Sequence, residues 1–316
     1  MGELKSINRR TFVKRSALGA LSIPLISTNP LLSFPPESIK LTILHTNDMH
    51  SHIDPFSAND SKYPGMGGMR KMASIVEKIR SEESHVLLLD AGDIFQGTPY
   101  FNKYKGEVEL KIMSEMGYTA STMGNHDFDN GINGFNDVLP HANFPFLCSN
   151  YDFSNTVLDG KTKKFIIKNI GELKIGLFGI GIKLNGLVEK RLYKETQYHE
   201  PIEIANHYAK ILKDEHNCDI VICLSHLGYD YQTNKISDTK LAKSTKGIDI
   251  IIGGHTHTFL DKATELENSN GEKVLVNQAG WGALSLGRID VNFTNQSNSK
   301  KELTLQSISK KNYAKI

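Results

Sequence analysis

Short apolar runs alternate with amphipathic stretches along most of this chain. Leu41–Thr46 predicts a strand, and Met69, Met72, Ala73, Val76 and Ile79 fall at helical spacing over Met69–Ser81. Val86-Leu87-Leu88-Leu89 is apolar without interruption, the mark of a strand covered on both faces. A second helix is expected over Glu107–Met116, then short strands at Thr119–Met123 and Phe144–Cys148. Phe165–Ile167 and Ile175–Phe178 flank Gly171-Glu172 and read as a hairpin. Residues 181–199 show no pattern and are expected to form a surface loop. A helix over Ile202–Leu212 follows, then buried strands at Asp219–Leu224 and Ile248–Ile252, and closing strands at Val274–Gln278 and Leu284–Phe293. Alternating β and α elements with local pairing in the middle and at the end predict an α/β domain with mixed sheets. No internal repeat or Pro/Ser-rich linker interrupts residues 38–300, which reads as one domain; 301–316 reads as a polar, solvated tail.

Composition refines this picture in three places. The formal charge of +2 hides an asymmetry: residues 1–36 carry Lys5, Arg9, Arg10, Lys14 and Arg15 against Glu3, a net of +4, which leaves −2 for the rest. A mildly acidic body is a poor electrostatic footprint for nucleic acid. There is no uninterrupted apolar run of about 18 residues, so no stable membrane span is expected. Cys148, Cys218 and Cys223 lie in or beside apolar runs and read as small buried residues, not as a disulfide framework.

The first 36 residues read as an address. Asn8-Arg9-Arg10-Thr11-Phe12-Val13-Lys14 precedes a moderately apolar stretch and a Pro-rich exit, which resembles a bacterial twin-arginine signal peptide and implies export to the periplasm. No clean Ala-x-Ala cleavage site is visible, so both a removed signal and a retained anchor fit.

The chemistry sits at strand ends. Asp48/His50, Asp93, Asn125/His126, His226 and His255/His257 each follow a strand-like run, and five of the 12 histidines occupy these ends. Parallel strands would bring the five ends to one rim, where open α/β sheets build their sites. Imidazole, carboxylate and one amide without thiolate suit Zn, Mn or Fe better than an iron–sulfur cluster. Seven such groups exceed the needs of one tetrahedral ion. Two ions about 3.5–4 Å apart would use them to activate water and clamp phosphoryl oxygens. Alternation in His255-Thr256-His257 predicts both imidazoles on one side of an extended segment, and Gly253-Gly254 would allow close backbone approach to a metal.

These motifs, in this order, resemble the calcineurin-like metallophosphoesterases: Asn47-Asp48-Met49-His50, Gly92-Asp93, Gly124-Asn125-His126-Asp127, Ser225-His226 and Gly253-Gly254-His255-Thr256-His257. Gly92–Pro99, Phe128-Asp129 and Gln278-Ala279-Gly280 narrow the resemblance to the 5′-nucleotidase family, over about residues 40–294. The resemblance implies a four-layer β-sandwich of two mixed sheets flanked by helices, the metallo-dependent phosphatase fold. It implies two divalent ions (Mn, Zn, Fe or Mg): Asp48, His50 and His257 on the first, Asn125, His226 and His255 on the second, Asp93 bridging. His126 would be the catalytic imidazole, oriented by Asp129, neutralising phosphoryl charge or protonating the leaving group.

The implied substrate is a small phosphate ester, a nucleotide. Family members commonly carry a second domain that sandwiches the nucleobase, so base recognition is either absent or supplied by a separate base-binding subunit. A thiosulfohydrolase-like hydrolase of a non-nucleotide substrate and a non-catalytic metal-binding subunit are the competing readings. Asp90 and Asp127 read as supporting groups, His45 and His52 as strand and loop residues, Trp281 as packing, and Gln96 as an open substrate contact.

Replacing Arg9 and Arg10 together by Lys is expected to leave the protein in the cytoplasm. Undiminished periplasmic protein on fractionation would contradict the export signal.

Overall fold

The computed structural model describes residues 37–296 and 300–308. The twin-arginine segment and residues 309–316 of the expected tail lie outside the described residues.

Two sheets dominate. The first has the order β12-β11-β1-β2, from Lys300–Ile308, Gly287–Gln296, Glu37–Thr46 and Val86–Asp90. Here β1 and β2 run parallel, with Thr46 opposite Asp90, and the other pairings are antiparallel. The second has the order β4-β5-β7-β8-β10-β9, from Phe165–Ile170, Leu173–Ile180, Ile220–Ser225, Ile250–Gly253, Lys273–Gln278 and Thr264–Glu267. Its four central strands are parallel and end in register at Ile180, Ser225, Gly253 and Gln278. A small ribbon pairs β3 (Tyr151–Asp152) with β6 (Gln197–Tyr198).

The continuous apolar runs are explained by burial on both faces. Leu41, Ile43, Leu87 and Leu89 face Leu177, Ile220, Ile222, Leu224, Ile250 and Ile252 in the core between the sheets. The intervening residues serve the outer cores. Leu44 and Leu88 pack with Met69, Met72, Val76 and Ile79 of α1 (Met69–Glu82). Leu110 and Met113 of α3 (Glu107–Glu115), which follows the short α2 (Pro99–Tyr104), join the same outer core. Ile132 and Phe135 of α4 (Gly131–Val138) extend it. Val221, Cys223 and Ile251 pack with Ala205 and Ala209 of α6 (Pro201–Lys210) and with Leu241 of α7 (Asp238–Ser244); α5 is the single turn Lys190–Tyr193. Helices, sheet, sheet and helices make the expected four layers. Each fully buried Leu or Ile contributes about 1.5–3 kcal/mol relative to exposure, so the layers rigidly fix where the strand ends lie. Cys148, Cys218 and Cys223 are buried and unlinked. No helix among the described residues is long and apolar enough to cross a membrane.

Three expectations are corrected. The domain does not stop at residue 300: β12 pairs with β11 from Arg288↔Ile308 to Gln296↔Lys300. Leu305 packs on the inter-sheet core while Thr304 is exposed, the alternation of an edge strand, and lysine is common at such edges. The strands expected near 119–123 and 144–148 reduce to single bridges, Leu89↔Ala120, Ser121↔Phe146 and Leu147↔Lys163. The hydroxyls of Ser121 and Thr122 bond Asp90 and the Leu147 carbonyl, and the chain then turns at Gly124. Residues 181–199 are anchored through buried Ile182, Leu184 and Tyr193 and through β6, whose isolated apolar positions have no period to read.

Candidate metal centre

Four strands release their side chains at one rim. After β1 the chain turns through left-handed residues, Asp48 (φ 49°), His50 (φ 47°) and Ser51 (φ 55°), and after β2 through Asp93 (φ 55°). The two loops are zipped together: the N–H groups of Asp48, His50 and Ser51 donate to the carbonyls of Gly92, Asp93 and Ile94 at 2.9, 3.1 and 2.9 Å. Each left-handed non-glycine residue costs of order 1–2 kcal/mol, which such cross-loop bonds offset. His226 follows β7 directly, and the loop after β8 carries His255 (φ 75°) and His257 (φ 51°). That loop corrects the expected extended segment. Both histidines are left-handed, and their imidazoles part, one toward each of two groups of side chains.

The first group is Asp48, His50 and His257; the second is Asp93, His226 and His255. In each, one nitrogen or oxygen per residue lies within 4.8 Å of the others. In the first, Nε2 of His50 and Nε2 of His257 are 3.0 Å apart, and Asp48 Oδ1 is 3.4 Å from His257 Nε2. In the second, Asp93 Oδ2 is 3.0 Å from His226 Nε2, and Asn125 Oδ1 is 2.8 Å from His255 Nδ1. The groups adjoin: His255 donates its backbone N–H to the Asp48 carboxylate at 2.9 Å, and Asp48 Oδ1 is 4.0 Å from His226 Nε2. A Cβ on Gly254 would meet His226 Nδ1 at 2.8 Å, so this glycine makes room for the side chains of the site.

Tautomers decide what the groups can hold. Nδ1 of His226 lies 2.6 Å from the Ala91 carbonyl, and Nδ1 of His50 lies 3.2 Å from the Phe95 carbonyl. A carbonyl only accepts, so each Nδ1 carries a hydrogen and each Nε2 points inward, free to offer a lone pair whenever it carries no proton. Nε2 of His226 faces a carboxylate oxygen and Nε2 of His50 another ring nitrogen. Electron pairs opposed at about 3 Å repel unless a proton or cation lies between them. The donor set, imidazole nitrogen and carboxylate oxygen without sulfur, fits divalent Zn, Mn or Fe.

The charges are coupled. Burial works against a charged His226, but the Asp93 carboxylate outweighs it and the pKa is pushed up to about 10. Burial lowers His255 to about 4, with the neighbouring His226 acting the same way. Burial alone would raise Asp93, yet His226, His50 and His126 hold it below the usual carboxylate range. His126 stands at the rim, with 37% of its side chain exposed and its ring 5.2 Å from that of His50. Its Nδ1 lies 2.8 Å from Asp129 Oδ2, and this bond raises its pKa against burial.

Several supporting residues had no assigned partner in the sequence. Asp127 is buried and accepts four backbone N–H groups: Ile94 and Phe95 on Oδ1, Asp93 and Gly124 on Oδ2, at 2.8–3.3 Å. Burial and the nearby Asp93 push its pKa up, but all four in-plane acceptor positions are taken, so protonation would lose a bond. We therefore read it as a carboxylate. Asp90, raised to about 7 chiefly by burial, is bonded by Thr46, Ser121 and the Gly92 N–H. Gln278 holds the His255–His257 loop through Gly254 O and the Thr258 N–H. Asn47 bonds Gly280 O and the Ala279 N–H at 2.6 and 2.7 Å. Trp281, expected to be packing, stacks on His257. The only signal for Asn47 and Gln278 was a place within a motif.

Comparison with known proteins agrees with this geometry. Residues 41–259 match the family model for calcineurin-like phosphoesterases. A snake venom 5′-nucleotidase from Crotalus adamanteus is 35% identical over 288 residues, 84% of this chain and 47% of the relative. The trifunctional nucleotide phosphoesterase protein YfkN of Bacillus subtilis is 34% identical over 285 residues, 80% of this chain and 18% of that protein. The 5′-nucleotidase precursor from Thermus thermophilus superposes with a TM-score of 0.75 at 28% identity, covering 86% of this chain and 55% of that one. A Thermus sulfate thiohydrolase, SoxB, shares the fold at a TM-score of 0.68 and 14% identity. The chain spans about half the length of the venom enzyme it matches.

Asp127→Asn turns an oxygen that accepts two N–H groups into a donor facing them. Leaving those groups unsatisfied should cost about 3 kcal/mol. Chemical denaturation checks this: a midpoint equal to that of the wild type would show that the four bonds do not hold the loops.

Proposed function

The chain belongs to the calcineurin-like phosphoesterase family, and on that premise we propose that it hydrolyses small phosphate esters, nucleotides among them, at a two-metal centre. Asp48, His50 and His257 would hold one divalent ion and Asp93, Asn125, His226 and His255 the other, with Asp93 shared. The observation that carries this reading is the pair of inward Nε2 atoms of His50 and His226, each ring oriented by a backbone carbonyl on Nδ1, beside the His126–Asp129 pair. Bound divalent ions supply Lewis-acid activation of water and neutralise charge on the phosphoryl oxygens.

The side chains do the rest. Asp127 and Asp90 fix the loops that carry Asp48 and Asp93, so the ligands need no rearrangement on binding. Asp129 accepts the Nδ1 hydrogen of His126, which favours the imidazolium and orients its ring. The imidazolium then faces the charge that grows during transfer, either stabilising the phosphoryl oxygens or giving a proton to the leaving oxygen. A binding-only subunit has no use for that acid, which favours catalysis. We place the reaction outside the cytoplasm on the strength of the basic, Pro-terminated first 36 residues.

A phosphate-release screen over nucleotides, sugar nucleotides and cyclic nucleotides, with Mn²⁺, Zn²⁺ or Mg²⁺ added to metal-stripped protein, tests the reading; no phosphate from any ester with any metal overturns it. His126→Ala should lower kcat by roughly 10²–10⁴ while metal content by elemental analysis stays that of the wild type. Full turnover in that variant would remove the assigned acid. The bond to Asp129 raises the His126 pKa, so Asp129→Asn should let the imidazolium lose its proton at lower pH. The alkaline limb of kcat should move toward acid, and a pH profile with an unmoved limb would contradict this.

A further inference from the structure

One face of His257 is covered by Trp281, whose ring is parallel to within 7° at 5.4 Å. Trp281 is the only tryptophan in the chain. His52, Phe56 and Tyr63 meet it edge to face at 5.4, 5.4 and 6.2 Å, and Tyr63 in turn reaches Phe259 at 6.4 Å. Rings from three separate stretches thus form a wall. It begins at a residue of the metal centre and ends at Phe259, whose residue surface is 47% exposed.

The backbone is shaped for this wall. Gly280 and Gly282 flank Trp281 at φ 82° and 60°. A Cβ on the first would meet Phe259 Cζ at 2.6 Å, and one on the second would meet Phe56 Cζ at 2.8 Å. The rings therefore lie directly on the main chain. The same turn is tied to the first metal loop: Asn47 bonds Ala279 and Gly280, and the Gly282 N–H donates to the Asp48 carbonyl at 2.8 Å. Wall and ligands are held in one register.

A single exposed aromatic residue is ordinary, but a connected and preorganised set is not. Rigid rings bind flat rings by stacking at little entropic cost. A row of rings leads from His126 past His50 and His257, at 5.2 and 4.9 Å, to Trp281. An ester whose phosphoryl group lies at the metal centre has its organic part within reach of the wall, whereas a protein covering the wall would also cover the site. We propose that Tyr63, Phe259 and Trp281 form a stacking subsite for the flat aromatic ring of the substrate's organic part. This rests on the phosphoesterase reading above and places ring recognition within this chain.

The test uses the full chain and two readouts. Trp281 emission is titrated with adenosine and with ribose. Phosphate release is measured, with Mn²⁺ present, for AMP, 4-nitrophenyl phosphate and ribose 5-phosphate, in wild type and in Phe259→Ala, Tyr63→Ala and Phe259→Leu. Adenosine, but not ribose, should quench the emission saturably, and each alanine variant should weaken that binding roughly tenfold, the order of one base–aromatic stack. The preference in kcat/KM for AMP over ribose 5-phosphate should fall by a similar factor, carried by KM. Loss with both ring-bearing esters assigns the subsite to flat rings in general; loss with AMP alone assigns it to a nucleobase. Phe259→Leu keeps apolar contact with Gly280 and is the variant to read if alanine unfolds the loop by circular dichroism. Unperturbed emission together with an unchanged preference overturns the subsite. Absence of phosphate from every ester, with quenching intact, removes the phosphoesterase reading instead.

Discussion

Buried negative charge is the constraint around which this molecule is arranged. Asp48, Asp90, Asp93 and Asp127 are each at most 1% exposed, and they sit at one rim of the sandwich. An uncompensated buried carboxylate is costly, so each must find donors or cations. The chain answers differently at each. Asp127 takes four backbone N–H groups, Asp90 takes two hydroxyls and an N–H, Asp93 takes His226 and the His126 N–H, and Asp48 takes the His255 N–H with His257 nearby. The first two are settled by the protein alone and act as clamps. The latter two also face inward imidazole nitrogens and remain disposed to take cations.

This division explains why the loops are strained and still ordered. Aiming Asp48, His50, Asp93, His255 and His257 inward takes left-handed backbone at all five positions. An isolated loop would relax from such conformations. Here the loops are bonded to each other, Asp127 grips the one that carries Asp93, and the loops spring from parallel strands buried on both faces. The sandwich thus converts apolar burial, spread over two sheets, into positional accuracy at a few polar atoms. The same accuracy extends outward through Asn47 to the turn that carries Trp281, so the carboxylate–imidazole groups and the aromatic wall share one support.

Much of this was legible in the linear chain because it depends on local pattern. Apolar runs of strand length mark buried strands, and ligand-type residues just beyond them mark the rim. Asp48, His50, Asp93, Asn125, His126, His226, His255 and His257 could therefore be picked out, whereas the role of Asp129 came only from the family resemblance. An α/β domain with mixed sheets followed from the same alternation, and the four-layer sandwich from the family resemblance. Other features failed for identifiable reasons. Single bridges near residues 120 and 146 replace expected strands because the backbone bonds to Leu88, Asp90 and Lys163 last only a few residues before the chain leaves the sheet. β12 has the Lys-rich composition of a tail, yet β11 offers it an edge. Residues 181–199 are held by isolated apolar side chains that have no period.

The sequence by itself determined the kinds of atoms available and the order in which strands deliver them, since both follow from residue identity and short-range periodicity. Only the tertiary structure decided which side chains share a group. Left-handed turns sent His255 and His257 apart, against the extended geometry their spacing suggests, and backbone carbonyls from a neighbouring loop chose the tautomers of His50 and His226. It also decided that Trp281, Tyr63 and Phe259, far apart along the chain, stand as one wall beside His257. Contacts of that kind depend on where layers and loops meet in space, and no local pattern encodes them.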